Sequence, residues 1–346
     1  MKAIRFGTGL LALAMALAQG AMAQEGDANF YAGKTITITV GSSAGGGYDL
    51  YGRLLSRFMG RHIAGNPTFI VANMPGAGGN VAAAHIANVA PKDGTAIGAI
   101  FMGTVVDPLF SAQGARKTHD PVKFNYIGNA NKDVYVCLVR TDAQVKTFQD
   151  LMEKELVVGA SAGGASTRDF PLLLKNILGA KFRIVAGYPG TRQINAAIEK
   201  GEVQGGCGQS WSSMAATYPH WFKDNLVKVL VQEDPEGYPE LNAKGIPLVR
   251  SLAKNEEQRK IFDLVYSQTV FGRPYVVAAE VPAGRVAILR KAFSAAMSDP
   301  GLKAEAAKMQ VDVDFTPGEE LQKKIVEVYA TPADIVEKAR KAFEGQ

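Results

Sequence analysis

The sequence is poor in the residues from which most metal and redox sites are built. It contains four histidines and two cysteines, and neither residue type is clustered. No C-x-x-C pair, no H-E-x-x-H sequence and no G-K-[ST] after a glycine-rich loop is present, which argues against thiol-redox, zinc-protease and P-loop sites. We therefore expect no metal, no cofactor and no catalytic residue.

Long runs of one charge are also missing. The formal net charge is +5, and lysines and arginines alternate with acidic residues along the chain. Such mixing is not typical of a nucleic-acid-binding surface, so we expect no nucleic-acid partner. The mild positive balance is compatible with an anionic ligand.

The one sizeable apolar run lies at the start of the chain. Lys2 and Arg5 precede an apolar stretch from Leu10 to Ala18, and Ala21-Met22-Ala23 follows. This layout predicts a secretory signal peptide over residues 1–23, cleaved near Ala23, because the run is shorter than the ~20 residues that span a bilayer. Removing the positive charges of Lys2 and Arg5 leaves +3 on an exported, soluble mature chain.

Export makes one disulfide between Cys137 and Cys207 feasible. Both cysteines lie in apolar, strand-like runs, where a buried free thiol is equally natural. The sequence does not show whether the two are close in space, and the interpretation we favour is two free thiols.

Strands, turns and helices alternate along most of the chain. Alternating or β-branched runs predict strands at 35–40, 68–72, 95–101, 134–140, 155–159, 182–186, 203–208, 226–232 and 270–279. Apolar periodicity predicts helices at 49–62, 80–89, 145–153, 168–178 and 190–200, with a mostly helical C-terminal part. The order β-loop-α predicts an α/β protein with parallel strands covered by helices.

A repeated glycine turn is the most informative motif. V-G-S-S-A-G-G at 40–46 and V-G-A-S-A-G-G at 158–164 differ at one position, and each lies between a predicted strand and a predicted helix. Backbone N–H groups in such a turn, in front of a helix N-terminus, form a site for an anion. Two such turns, one per domain, would hold a ligand from both sides.

The same turns also fit G-x-S-x-G, the nucleophile elbow of α/β-hydrolases. A secreted serine hydrolase using Ser43 or Ser161 is therefore the alternative function. Such an enzyme needs an acid and then a histidine downstream of the serine. The last histidine of this chain is His220, which lies early in the sequence for a hydrolase. The binding interpretation is preferred for that reason.

The order of the motifs resembles a known family. The predicted signal peptide is followed by Y-A-G-K-T-I-T-I-T-V (31–40), N-M-P-G-A-G-G-N (73–80), A-P-K-D-G-T (90–95), G-Y-P-G-T (187–191) and E-K-G-E-V-Q-G (199–205). This series resembles the extracytoplasmic solute receptors of the tripartite tricarboxylate transporters, also called the Bug family. The resemblance covers essentially the whole mature chain.

The resemblance implies both fold and function. It implies a two-domain periplasmic-binding-protein fold (Venus flytrap, type II-like) with a ligand cleft between domain 1 (24–126 plus 249–346) and domain 2 (127–248). It also implies a monomeric periplasmic receptor that captures a small organic carboxylate, including di- and aromatic carboxylates. The receptor would deliver this anion to the membrane subunits of a tripartite tricarboxylate-type transporter.

The family's ligand-binding turns map onto named positions of this chain. The resemblance implies ligand contacts from Ser42, Ser43, Gly46, Gly47, Asp49, Gly103, Thr104, Ser161, Gly164, Ser166 and Thr167. Asp49 is also the residue we expect to cap the first helix.

Several positions depart from the family pattern and bear on the ligand. Arg168 stands where the family often has a histidine, and an arginine there could hold a second carboxylate in a bidentate manner. The family often has an acid or amide pair at the end of the later strand, and this chain has Gln209 and Trp211 there. Tyr48, Tyr188 and Trp211 could stack on an aromatic ligand or close the cleft.

Overall fold

The computed structural model describes residues 29–110, 118–309 and 311–343. The predicted signal peptide lies outside the described residues. The strands are β1 (Thr35–Val40), β2 (Thr68–Asn73), β3 (Ala96–Ala99), β4 (Asn125–Asn129), β5 (Tyr135–Arg140), β6 (Leu156–Gly159), β7 (Phe182–Val185), β8 (Gly205–Ser210), β9 (Val227–Gln232), β10 (Pro274–Val277) and β11 (Thr316–Pro317).

The helices surround these strands. They are α1 (Gly47–Phe58), α2 (Asn80–Asn88), α3 (Met102–Phe110), α4 (Ser166–Leu178), α5 (Thr191–Lys200), α6 (Trp211–Thr217), α7 (Pro219–Lys223), α8 (Pro239–Ala243), α9 (Glu256–Tyr266), α10 (Ala283–Ser298), α11 (Pro300–Lys308), α12 (Gly318–Tyr329) and α13 (Ala333–Ala342).

Two mixed sheets organise the chain into two lobes. The first lobe contains the sheet β11-β4-β10-β3-β1-β2, and the second lobe contains β7-β6-β8-β5-β9. The chain enters the second lobe between β4 and β5 and returns between β9 and β10. The α/β, two-domain fold class is thus confirmed. The finer domain boundaries remain a prediction, and α13 contacts both α3 of the first lobe and α4 of the second.

The hydrophobic pattern of β1 explains its place in the first sheet. Ile36, Ile38 and Val40 are fully buried, while the threonines between them face the other side. β1 pairs in parallel with β2 and β3, which places the carboxyl ends of the three strands at one edge. The glycine turn after β1 therefore lies at that edge, as does the start of α3 after β3.

Two expectations about secondary structure are wrong, and several elements were not predicted. The strands are not all parallel, since β10 pairs antiparallel with β3 and β4, and β5 with β8 and β9. The predicted helix at 145–153 is a turn with a 3-10 segment, Gln149–Met152. The Asp150 carboxylate accepts the N–H groups of Lys146 and Thr147 there, which competes with helical hydrogen bonding. The short strands β4 and β11 and the helices α3, α6, α7 and α8 were not predicted.

Cys137 and Cys207 form a disulfide, so the favoured interpretation of two free thiols is wrong. The two cysteines lie on β5 and β8, which are neighbouring antiparallel strands. An irregularity in the register between Val136 and Leu138 falls at this position. The pairing depends on a contact between residues 70 positions apart, which the sequence alone does not reveal.

Candidate functional site

The first glycine turn connects β1 to α1 and is held by a carboxylate. Gly45 has a left-handed φ of +80°, and its N–H donates to Asp49 Oδ2 at 2.9 Å. Arg53 and Asn73 donate to the same carboxylate. Burial alone would raise the pKa of Asp49, but these hydrogen bonds hold the pKa below its ordinary value. Gly46 caps α1, so the expected capping role of Asp49 is wrong.

The second glycine turn connects β6 to α4 and is built in the same way. Gly164 has φ +87°, and its N–H donates to Asp169 Oδ2 at 2.9 Å. Arg168 Nη1 donates to Asp169 Oδ1 at 3.0 Å and to the carbonyl of Phe343 at 3.3 Å. Burial outweighs these interactions and raises the pKa of Asp169 to about 6. In both turns a carboxylate of the following helix thus already accepts one glycine N–H.

A polar cavity of about 370 Å³ lies between the lobes. This interlobe cavity falls in the size range of small-molecule sites. Both lobes contribute to it: Gly103, Val106, Asp107, Phe110 and Gln268 from the first lobe, Gly163, Gly164, Ser166, Arg168, Asp169 and Phe170 from the second, and Phe343 after α13. Its charged residues are one arginine and two aspartates.

The backbones of the two lobes touch beside this cavity. A Cβ added to Gly103 would lie 2.8 Å from the carbonyl oxygen of Gly164. A Cβ added to Gly78, in the P-G-A-G-G-N turn, would lie 3.1 Å from the carbonyl carbon of Gly164. Any larger residue at Gly103 would therefore push the second glycine turn away. The absence of a side chain at Gly103 is what allows the lobes to meet here.

Four of the predicted site residues line the interlobe cavity: Gly103, Gly164, Ser166 and Arg168. The Ser166 hydroxyl donates to the carbonyl of Gly208 at 2.7 Å, which leaves its oxygen lone pairs as acceptors. Arg168 keeps several N–H groups beyond those bound by Asp169 and Phe343. Arg168 is thus the cavity residue best suited to hold an anion.

Three predicted hydroxyl groups interact mainly within the protein. Ser161 Oγ and Thr167 Oγ1 are 2.6 Å apart and hydrogen-bonded to each other. Thr104 is fully buried, and its hydroxyl donates to the carbonyl of Phe101 at 2.6 Å. None of the three lines the interlobe cavity. Their contact with a ligand remains a prediction.

The predicted residues of the first turn lie away from the interlobe cavity. Ser42, Ser43, Gly46, Gly47, Tyr48 and Asp49 do not line the interlobe cavity. A Cβ on Gly47 would lie 2.7 Å from Ser213 Oγ and 3.2 Å from Arg273 Nη2. The first turn thus meets α6 of the second lobe, while the second turn meets α3 of the first.

Tyr48 is anchored in the joint between the lobes. Its hydroxyl donates to the carbonyl of Gly272 at 2.8 Å, and its ring stacks on Phe101. The guanidinium of Arg273 lies 4.5 Å from the centre of the Tyr48 ring. Arg273 is fully buried in turn and pairs with Asp133 at 3.0 Å, at the crossing between the lobes. Tyr48 therefore packs against protein groups in this structure.

The other predicted aromatic and amide residues are not brought to the cavity. Tyr188 packs in the second lobe, within a hydrophobic cluster that contains Trp211. Trp211 is buried and packs edge-on against Phe222. Gln209 is 1% exposed, and both polar atoms of its side chain lack a partner in the described residues.

Sequence reasoning missed several residues that line or face the site. Asp107 and Phe110 lie on α3, a helix that the pattern did not predict, and Phe343 arrives from the far end of the chain. Asp169 could have been found, because an aspartate follows each repeated turn closely. Arg192 faces the first turn: its Nη1 would lie 3.9 Å from a Cβ on Gly45.

The histidines do not form a serine-hydrolase arrangement in residues 29–110, 118–309 and 311–343. His119 bonds to the carbonyl of Thr104, His62 to Asp299 and His220 to Glu199. No hydrogen bond in this described part joins a histidine to Ser43 or Ser161.

Solved solute-binding proteins share this two-lobed fold. MatC of Rhodopseudomonas palustris, solved with bound malate, shares the fold with a TM-score of 0.66 and 22% identity, over 88% of this chain and 99% of MatC. The periplasmic binding protein BugD matches with a TM-score of 0.66 and 20% identity, over 90% of this chain and 99% of BugD. At these identities the likeness concerns the fold.

Part of the sequence matches a family model. Residues 55–203 match the sequence model described as "Tripartite tricarboxylate transporter family receptor". A UPF0065 protein of Agrobacterium vitis is 27% identical over 187 residues, which are 52% of this chain and 52% of that protein. The chain thus spans about half the length of the curated relatives it matches. The resemblance to the tripartite tricarboxylate transporter receptors is confirmed.

Among the described residues, every helix is too short or too polar to cross a bilayer.

Proposed function

We propose that this protein is an extracytoplasmic receptor that captures a small organic carboxylate between its two lobes. The interlobe cavity is the observation that carries the proposal, because α3 and the second glycine turn enclose it from opposite lobes. The family match and the malate-bound relative of the same fold support a carboxylate as the ligand. Delivery of this ligand to a tripartite tricarboxylate-type transporter is part of the proposal, as are the periplasmic location and the monomeric state.

Arg168 is the proposed anchor for the ligand carboxylate. It is the one cation that lines the cavity in the described residues, and its guanidinium offers paired N–H donors that match a carboxylate. Asp107 and Asp169 line the same cavity and would repel a second unpaired negative charge nearby. They would instead accept hydrogen bonds from hydroxyl or ammonium groups. We therefore favour a hydroxy- or amino-substituted carboxylate over a plain aliphatic one.

A thermal-shift screen tests this function directly. The panel contains malate, aspartate, adipate, citrate and benzoate, with malamide as the uncharged analogue of malate. A carboxylate at a hundred times its dissociation constant should stabilise the folded state by about 2.7 kcal/mol. We expect at least one substituted carboxylate to raise the unfolding temperature and malamide to leave it unchanged. Stabilisation by no carboxylate, or equally by malamide, would refute the proposal.

Arg168→Gln serves as the matched variant in this screen. It keeps a polar side chain but removes the charge-assisted hydrogen bonds, which are worth roughly 1.5–3 kcal/mol. We expect the carboxylate to raise the unfolding temperature of this variant by much less than that of the unsubstituted protein. Lys175→Gln, on the same helix but outside the cavity, should retain the full shift.

A further inference from the structure

A second cavity of about 570 Å³ lies in the second lobe, with Leu252 of the returning chain at its edge. Its walls are mainly apolar and include Phe148, Trp211, Phe222, Leu230 and Leu241. None of its lining residues belongs to the interlobe cavity. We call it the Trp211 cavity. Its volume suits a small molecule, and aromatic side chains form much of its wall, as in many small-molecule sites.

Three lysines, Lys146, Lys228 and Lys244, give this apolar cavity a positive side. Lys244 pairs with Glu240 at 2.6 Å, and Lys146 donates to the carbonyl of Thr141. Lys228, on the edge strand β9, is half-buried, and its ammonium group has no hydrogen bond or ion pair in the described parts of the chain. A cation that is partly withdrawn from water and left unpaired is costly, and an anion would offset this cost.

Asp150 is the acidic residue that interacts electrostatically with Lys228, but it does not form an ion pair with Lys228. Asp150 accepts hydrogen bonds from Lys154 and from the backbone of Lys146 and Thr147. Burial and the nearby Lys146 lower the pKa of Lys228, and Asp150 only partly opposes them. The Trp211 cavity therefore combines apolar walls with an uncompensated cation.

We infer that the Trp211 cavity is a second binding site, separate from the interlobe cavity, for an amphipathic organic anion. The ligand class is a carboxylate or sulfonate with a compact aliphatic or aromatic body. The body lies against Trp211, Phe222 and Leu241, and the anionic head pairs with Lys228. This assignment gives Trp211 a ligand-contacting role in the second lobe and not in the cleft between the domains, where the sequence analysis expected it.

Octanoate and its neutral partner octanol test this inference. The chain has two tryptophans, and of these Trp211 lines the cavity. Trp221 does not line it; its side chain is fully buried and donates to Glu199. We expect octanoate to change the tryptophan emission with a stoichiometry of one and to bind about tenfold more tightly than octanol. The emission change should disappear in Trp211→Phe. Equal binding of octanoate and octanol, or no binding of either, would overturn the assignment.

Two cavity variants locate the site. Lys228→Gln should weaken octanoate about tenfold and leave octanol unchanged. Ile246→Trp fills the cavity from its half-buried loop and should abolish binding of both. Lys223→Gln, on α7 and outside the cavity, is the control and should bind normally. If Lys228→Gln binds octanoate as the unsubstituted protein does, or if Gly103→Ala abolishes octanoate binding while Ile246→Trp keeps it, the site is not this cavity.

Discussion

Glu233 shows how a single buried carboxyl can shape the pH dependence of stability. Its side chain is completely buried, Oε2 accepts the N–H of Gly208 at 2.6 Å, and Oε1 has no partner in the described residues. Burial raises its pKa from 4.5 to about 8. The folded state therefore holds this proton more tightly than the unfolded chain, and stability should fall as the pH rises from about 4.5 to 8.

Glu233→Gln removes this titration and keeps a carbonyl acceptor for Gly208. We expect the variant to unfold at least ~2 °C higher than the unsubstituted protein at pH 9, where the latter carries a buried charge, and to differ little at pH 4. Thermal unfolding at both pH values measures the difference. The same pH dependence in both proteins would show that Glu233 does not titrate as described.

Asp169 should make carboxylate binding depend on pH. Its pKa is raised to about 6 by burial, and it lines the proposed site beside Arg168. Above pH 6 its negative charge competes for Arg168 and repels the ligand. We therefore expect the affinity for the best carboxylate of the panel to rise as the pH falls from 7.5 to 5.5. Titration calorimetry should show no such rise in Asp169→Asn, and an equal rise there would contradict this role.

At the scale of elements, the contact between α3 and the second glycine turn controls how closely the lobes approach. The backbone of Gly103 does not need a left-handed conformation, but a Cβ there would lie 2.8 Å from the Gly164 carbonyl oxygen. We expect Gly103→Ala to weaken carboxylate binding about tenfold, because the added methyl group would hold the two lobes apart.

The control for this change is Gly190→Ala, whose added Cβ has its nearest neighbour at 3.6 Å. Its backbone is extended, so alanine is accommodated without strain. Titration of both variants with the same carboxylate measures their affinities, and Gly190→Ala should keep the affinity of the unsubstituted protein. Full affinity in Gly103→Ala would mean that this contact is not part of the bound state.

The disulfide between β5 and β8 should be a major stabilising link within the second lobe. It closes a segment of 70 positions, and cross-links of this kind typically contribute about 2–4 kcal/mol. We expect the Cys137→Ala, Cys207→Ala double variant to lose this amount in urea unfolding. Alkylation of the denatured, unreduced protein should find no free thiol. Two alkylated cysteines would show that the bond is absent.

Local patterns predicted many of the strands and helices, whereas contacts between distant segments were not predictable. The alternation of Ile36, Ile38 and Val40 located β1, and the repeated turns located the starts of α1 and α4. The left-handed residue of the first turn is Gly45, whereas the repeat suggested Gly46, the counterpart of Gly164. The reason is that Asp49 and Asp169 hold their turns at different spacings, four and five residues from the bonded glycine.

The composition of the site depended on the tertiary fold. Phe343 reaches the interlobe cavity only because α13 packs between α3 and α4. Trp211 directly follows the end of β8, but its side chain packs into the second lobe and not toward the interlobe cavity. No local pattern encodes either outcome, because each depends on how separate elements pack.

At the scale of the whole molecule, two lobes are joined where the chain crosses between the sheets. The buried pair of Arg273 and Asp133 lies at this crossing and connects it with Ser210 and Ser213 of the second lobe. Because both lobes line the interlobe cavity, a movement of the lobes about this joint would change the size of the cavity. A ligand that contacts both lobes binds the closed arrangement more tightly than the open one and therefore stabilises the closed arrangement.

Small-angle scattering with the best carboxylate of the panel tests this central claim most directly. The radius of gyration is measured without ligand and at a saturation proven by calorimetry, for the unsubstituted protein and for Gly103→Ala. We predict a smaller radius on binding in the unsubstituted protein and a reduced change in the variant. An unchanged radius at proven saturation would contradict capture of the carboxylate between the lobes.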